Sequence, residues 1–97
     1  MAIAQSSAIH NLLLRHLENP FLVLEVAVTA EIGDIERQAQ KLLAMLAAGL
    51  VEADRYPTPL GQRARTPELV RMATSELRDP ARRLLHEFWA CGWRRAS

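Results

Sequence analysis

The strongest constraint on the fold is an apolar stripe near the middle of the sequence. Its members recur at the spacing that places side chains on one face of an α-helix. We predict that this helix starts at Thr29 or Glu31 and that Gly49 ends it as a left-handed cap. The stripe consists of Ile35, Ala39, Leu42, Leu43 and Leu46.

Two further helices are predicted in the second half of the chain. Thr66-Pro67-Glu68 supplies a capping hydroxyl, a proline in the first turn and an acid near the positive end of the helix dipole. Asp79-Pro80 ends this helix and caps the next one, which Gly92 ends. The inward-facing residues are predicted to be Val70, Ala73 and Leu77 in the first helix and Leu84, Leu85, Phe88 and Trp89 in the second. Trp89 and Trp93, four residues apart, suit either core packing or a partner-binding anchor.

The N-terminal residues 3–18 form another amphipathic pattern, which Asn19-Pro20 ends. Its apolar stripe suits packing on the chain's own domain or on another chain, which would give a homo-oligomer. Both alternatives stay open. The stripe consists of Ile9, Leu12, Leu13, His16 and Leu17.

Two segments are less regular. Residues 21–28 are apolar almost throughout and fit either a buried strand or a short buried helix. Residues 50–65 form a connection in which Pro57 and Pro59 favour an extended, stiff path. We therefore predict an all-α fold with four or five helices.

Bulk properties narrow the functional classes. The chain has 97 residues and a net charge of +1, which fits one small domain with no strong attraction to nucleic acid or membranes. Cys91 is the only cysteine, and neither a membrane-spanning run nor a signal-peptide pattern occurs, so we predict a cytoplasmic protein. The preference for arginine over lysine suggests a bacterial source. His10, His16 and His86 lack metal-site spacing and no catalytic motif is present, so we predict no enzyme, metal or cofactor.

Several short motifs occur in a consistent order along residues 19–90. In that order they resemble the frame of a DnaJ-type J-domain, the module that activates DnaK-class chaperone ATPases. The resemblance implies an antiparallel pair of long helices with short flanking helices. The predicted organisation is an N-terminal helix at 1–18, a J-like domain at 19–90 and a tail at 91–97. The motifs are Asn19-Pro20-Phe21, Leu24-Glu25-Val26, Ala30, Asp34-Ile35, Ala39, Lys41-Leu42 and Asp79-Pro80-Ala81-Arg82-Arg83.

The chain also departs from the J-domain pattern. The activating His-Pro-Asp tripeptide is missing, and Ala47-Ala48-Gly49 stands in its place. Pro20 replaces an aromatic residue, Glu25 replaces a glycine, and the second helix carries a mixture of charges instead of a basic face.

These departures favour a non-catalytic protein-protein interaction module that does not stimulate a chaperone ATPase. The resemblance makes a DnaK-class chaperone or a relative the expected partner. The contact residues are predicted to be Arg37 and Lys41 on the second helix, and Tyr56, Leu60 and Arg63 in the proline-rich connection.

A winged-helix DNA-binding protein is the alternative interpretation. Residues 43–56 resemble the end of a recognition helix that leads into a strand, and residues 57–65 would form the wing. Arg63 and Arg65 would then contact phosphates, while Gln38, Gln40, Arg37 and Lys41 would read base edges. The near-zero net charge and the acids Asp34 and Glu36 argue against nucleic acid as a partner.

Overall fold

The computed structural model describes residues 16–96, with side chains through Cys91. The predicted N-terminal helix lies outside the described residues except for its last three. The elements in chain order are α1 (Pro20–Leu24), α2 (Ile32–Ala47), a 3-10 turn (Val51–Ala53), β1 (Arg55–Thr58), β2 (Gly61–Ala64), α3 (Pro67–Arg78) and α4 (Pro80–Ala96).

The all-α prediction is wrong, because β1 and β2 form an antiparallel hairpin within the predicted connection. The prolines led to the error, since they suggested an extended path without a partner strand. In a two-stranded sheet both strands are edges, so Pro57 can lie opposite Gln62 although it has no amide hydrogen to donate. The positive φ of Gly61, 111°, closes the turn. The fold combines helices with a small sheet.

The central helix begins and ends as its sequence predicts. Glu31 is the N-cap of α2, and Gly49 follows the last turn with a φ of 74°. Of the predicted stripe, Ile35, Ala39 and Leu42 are buried, and Leu43 and Leu46 are half-buried. The cap at Gly49 therefore confirms the predicted end of the helix.

The ambiguous segment 21–28 begins with the short helix α1 and contains no strand. The Asn19 side chain caps α1, because its Oδ1 accepts a hydrogen bond from the Phe21 amide. Glu25 ends α1 with left-handed backbone angles, φ 53° and ψ 49°.

The helices α2 and α3 pack against each other in opposite directions. Arg78, the last residue of α3, donates a 2.9 Å hydrogen bond to Glu36 near the start of α2. The hairpin connects the other ends of the two helices, and α1 packs on α3. The buried core comprises Phe21, Val23, Leu24, Ile35, Ala39, Leu42, Ala53, Tyr56, Val70, Ala73, Leu77 and Ala90.

The face of α4 that packs on the core differs from the predicted one. An inward orientation was predicted for four residues that are exposed: Leu84 by 67%, Leu85 by 55%, Phe88 by 69% and Trp89 by 42%. Arg83 takes the inner side of α4 because its guanidinium donates to the carbonyl oxygens of Val28 and Ala30. That contact fixes the rotation of α4 and turns the leucines and the phenylalanine outward.

Within residues 16–96, no helix combines the length and the apolar character needed to cross a membrane.

Candidate functional site

A fully buried arginine joins the hairpin to α1. The Arg65 Nε donates to the Val23 carbonyl at 2.8 Å, and Nη1 donates to the carbonyls of Ala53 and Arg55 at 3.0 and 3.1 Å. Nη2 forms a 2.7 Å ion pair with Glu25. The buried charge is thus paired and hydrogen-bonded, so Arg65 holds the fold together and is not offered to a phosphate or an acidic partner.

Tyr56, a predicted contact residue, is also part of the core. Its side chain is fully buried, and its hydroxyl donates to the Leu17 carbonyl at 3.1 Å. Burial raises the pKa of the Tyr56 phenol, although the nearby Arg63 guanidinium opposes the rise. Because its ring and hydroxyl are both enclosed, Tyr56 packs between the hairpin and the core and cannot contact a partner.

The other predicted contact residues lie on two separate elements. Leu60 is at the tip of the hairpin and 72% exposed, while Arg63 lies on β2 and is half-buried. Arg37 and Lys41 are exposed one turn apart on α2, and Arg37 forms an ion pair with Asp34. Arg37 and Lys41 therefore form one accessible patch, and the hairpin tip forms another. Neither Tyr56 nor Arg65 reaches the surface beside these patches.

Several large apolar side chains are exposed close together on α4. We call Leu84, Leu85 and Phe88 the outer face of α4, because these side chains point away from the core. Leu84 and Phe88 are one helical turn apart, so they form a continuous strip. Exposed apolar strips of this kind are typical of protein-binding surfaces, whereas single exposed leucines are ordinary.

Beside the outer face, a groove of about 550 Å³ is lined by side chains from residues 16–20, α3 and α4. Its apolar lining includes Leu69, Met72, Leu85 and Trp89. Met72 is 61% exposed and Trp89 is 42% exposed, so the groove is open to solvent. The edge of the His16 ring packs against Trp89, with ring centroids 4.5 Å apart.

The polar end of the groove is an ion-pair network. Glu76 accepts a 2.6 Å hydrogen bond from Arg82, and its other oxygen lies 3.3 Å from the His86 Nε2. Burial raises the pKa of the Glu76 carboxyl, but the hydrogen bonds from Arg82 and His86 outweigh this effect and leave the pKa below its ordinary value. Because the carboxylate is held by two partners, this arrangement serves to join α3 to α4.

Several of the motifs from which a J-domain-like frame was predicted lie at the joints between helices. Asn19 caps α1, and its Nδ2 donates to the His86 carbonyl of α4 at 3.2 Å. Asp79 caps α4 by accepting from the amides of Ala81 and Arg82. The Arg83 guanidinium also lies over the Phe21 ring, 5.7 Å from its centroid. These polar side chains hold α1, α4 and the loop before α2 together.

The sequence contained a signal for the outer face of α4 that the prediction did not use. Leu84, Leu85, Phe88 and Trp89 lie on one side of a helix, and Ala90 lies on the other side. Part of that set must therefore lie outside the core. The role of Arg65 left no comparable signal, because an arginine in a loop looks the same whether it is solvated or buried.

Among the described side chains, no group of three or more histidines, cysteines, aspartates or glutamates is placed to hold a metal ion. Cys91 is exposed as a free thiol. No family model, curated protein or solved structure matches this chain.

Proposed function

We propose that the chain is a non-catalytic protein-protein interaction module with a J-domain-like frame, and that its partner docks on the outer face of α4. The observation that carries the proposal is the exposure of Leu84 and Phe88, at 67% and 69%, on a helix whose other side is packed on the core. Burying a leucine or phenylalanine of this kind contributes about 1.5–3 kcal/mol. The surface therefore offers substantial binding energy to a complementary partner.

Two features support the J-domain-like part of the proposal. The helices α1 and α4 pack against the antiparallel pair α2 and α3. The motifs that match the J-domain pattern lie where these helices meet. The exposed turn at Ala47-Ala48-Gly49, where the family carries its activating tripeptide, offers no charged or imidazole side chain. We therefore propose docking without stimulation of ATP hydrolysis, with a DnaK-class chaperone or a relative as the partner.

The test uses the full chain and a purified DnaK-class chaperone. Biolayer interferometry would measure the dissociation constant, and a coupled assay would measure the ATPase rate. We expect saturable binding with an unchanged ATPase rate. Leu84→Ser combined with Phe88→Ser should weaken binding at least tenfold. An accelerated ATPase would contradict the proposed loss of activation, and no binding would exclude this class of partner.

The chain offers matched controls for this experiment. Val51 is 76% exposed but lies on the 3-10 turn, so Val51→Ser should leave the dissociation constant unchanged. Leu60→Ser and the pair Arg37→Glu with Lys41→Glu examine the surfaces predicted from the sequence. If these variants abolish binding while the α4 variant does not, the docking surface is α2 or the hairpin tip.

One observation favours the winged-helix alternative: the hairpin follows α2 where that interpretation places a strand and a wing. Other contacts weigh against it. Arg65 is buried, and the Gln38 amide donates to the Leu24 carbonyl at 3.0 Å, so neither side chain is available to DNA. A titration with duplex DNA at several salt concentrations tests this candidate. Binding that weakens steeply with salt would support it, and no binding at low salt would exclude it.

A further inference from the structure

The hydrogen-bond pattern of the hairpin shows which backbone groups point outward from each strand. The Arg65 amide donates to the Asp54 carbonyl at 2.8 Å, immediately beyond the first pair of the ladder, Arg55 with Ala64. Hydrogen-bonded and non-hydrogen-bonded pairs alternate along an antiparallel ladder. Arg55 and Ala64 therefore form a non-hydrogen-bonded pair, and their N–H and C=O groups point away from the opposite strand.

The outer edge of β1 is largely blocked. The second non-hydrogen-bonded pair is Pro57 with Gln62, so the outward residues of β1 are Arg55 and Pro57. The Arg55 carbonyl already accepts from the Arg65 Nη1 at 3.1 Å, and Pro57 has no N–H to donate. The strand also lies against α1 and the 3-10 turn. A further strand would find few free partners on this side of the hairpin.

The outer edge of β2 is open. Its outward residues are Gln62 and Ala64, and both are exposed. Within the part of the chain that the structure describes, their outward N–H and C=O groups have no hydrogen-bond partner. Donors and acceptors on alternate residues of a free edge form the row to which an extended peptide adds as another strand.

Arg63, between these two residues, determines the chemistry that suits this edge. It lies opposite Tyr56 in the hairpin, so its side chain is on the inner face, where it is half-buried and close to the Tyr56 hydroxyl. Among the described residues, no carboxylate forms an ion pair with Arg63.

A strand that runs antiparallel to β2 and bonds to Gln62 and Ala64 has one residue directly opposite Arg63. That pair is non-hydrogen-bonded, with α carbons about 4.5 Å apart, so the two side chains are close. An acidic residue there pairs with the guanidinium, because opposite charges across strands attract. A second copy of β2 about the same centre would instead place two copies of Arg63 against each other, which is unfavourable.

We propose that the outer edge of β2 binds an extended acidic peptide, which adds as a third strand antiparallel to β2 with a carboxylate opposite Arg63. The backbone groups of Gln62 and Ala64 hold the peptide, and Arg63 selects its charge. The inference does not depend on the proposed function, since the outer face of α4 contributes nothing to this edge.

The test uses the isotope-labelled full chain and two short capped peptides of alternating threonine and valine, one with a central glutamate and one with a central lysine. Amide chemical shifts in a titration would give the binding site and the dissociation constant. We expect saturable shifts of the Gln62 and Ala64 amides, with the lysine peptide at least about threefold weaker. No shifts, or shifts confined to α4, would overturn the proposal. Shifts of the β2 amides on dilution of the chain alone would overturn it in favour of a second copy.

Substitutions at Ala64 test the role of the backbone. Ala64→Pro removes one outward N–H, whereas Ala64→Val keeps this donor and changes only the side chain. We expect Ala64→Pro to raise the dissociation constant of the glutamate peptide at least about fivefold, with Ala64→Val within about twofold of the unmodified chain. Circular dichroism would check that both variants are folded. Equal dissociation constants in the two folded variants would show that the peptide does not bond to this edge.

A charge exchange tests the role of Arg63 without altering the backbone. Arg63→Glu should reverse the preference, so that the lysine peptide binds more tightly than the glutamate peptide. Arg55→Glu makes the same charge change on the opposite, exposed face of the hairpin and should keep the preference for glutamate. Equal effects of the two substitutions would reduce the attraction to net charge and overturn the proposed pairing.

Discussion

At the scale of single residues, Arg65 is the one charged residue of the described chain that is buried. Its guanidinium donates to three carbonyl oxygens and to the Glu25 carboxylate, and its side chain has no exposed surface. Planar geometry lets one arginine satisfy acceptors from α1, the 3-10 turn and β1 together. Its removal leaves several buried carbonyls without donors.

We expect Arg65→Met to lower the free energy of unfolding by about 3–5 kcal/mol, because the lost hydrogen bonds outweigh the gain from an uncharged side chain. Arg65→Lys should recover only part of this loss, since an ammonium group cannot reach all four acceptors. Urea denaturation followed by circular dichroism would measure the changes. Arg55→Met, on an exposed side chain of the same hairpin, is the control and should stay within about 0.5 kcal/mol.

Glu25 has an unfavourable backbone conformation, and its side chain makes a favourable ion pair. Its φ of 53° is costly for any residue with a Cβ, while its carboxylate pairs with Arg65. Glu25→Ala removes the carboxylate and keeps the strain, whereas Glu25→Gly removes both. We expect the glycine variant to be more stable than the alanine variant by about 1 kcal/mol, measured by urea denaturation. Equal stabilities would show that the left-handed geometry at this position costs nothing.

At the scale of elements, the joint between α3 and α4 depends on the ionisation of Glu76. The pKa of this carboxyl is lowered from 4.5 in the folded chain, since Arg82 and His86 hold its charged form against the effect of burial. A lowered pKa means that the contribution of Glu76 to stability is present above the unfolded value and is lost as the pH falls through the folded value.

We therefore expect the melting temperature to fall less steeply below about pH 5 in Glu76→Gln than in the unmodified chain, because the variant has no carboxylate to protonate. Thermal melts between pH 7 and pH 3 would measure the slopes. Glu52→Gln changes an exposed acid on the 3-10 turn and is the matched control. If both variants follow the unmodified curve, the contacts of Glu76 contribute nothing to acid sensitivity.

Most helix bounds were predictable, because their signals are local, but the predicted end at Gly92 is wrong, since α4 continues to Ala96. The caps at Thr66 and Gly49 and the stripe on α2 all act within a few residues. The hairpin was missed because its stability comes from pairing across the turn and from Tyr56 beneath it. The face of α4 was missed because Arg83 contacts Val28 and Ala30, more than fifty residues away in sequence, and fixes the helix rotation. Such long-range contacts leave no periodic pattern.

At the scale of the whole molecule, the outer face of α4 is surface that folding does not use. Phe88 is 69% exposed, whereas Leu77 on α3 is 2% exposed. We expect Phe88→Ser to change the free energy of unfolding by less than about 0.5 kcal/mol and to reduce binding of a hydrophobic dye. Leu77→Ser should lower the free energy of unfolding by several kcal/mol, since the substitution leaves a cavity and an unsatisfied hydroxyl in the core. A large loss of stability in Phe88→Ser would show that this residue belongs to the core.

The enclosure of Arg65 also determines how the chain can open. The acceptors of this guanidinium come from α1, the 3-10 turn and β1. If only one of these elements moves away, the guanidinium loses acceptors and is still poorly solvated by water. Partial detachment of the hairpin is therefore unfavourable, and the small sheet should open together with the helices. In native-state hydrogen exchange, the Arg65 amide, which donates to Asp54, should consequently exchange only through global unfolding, like amides in the middle of α3.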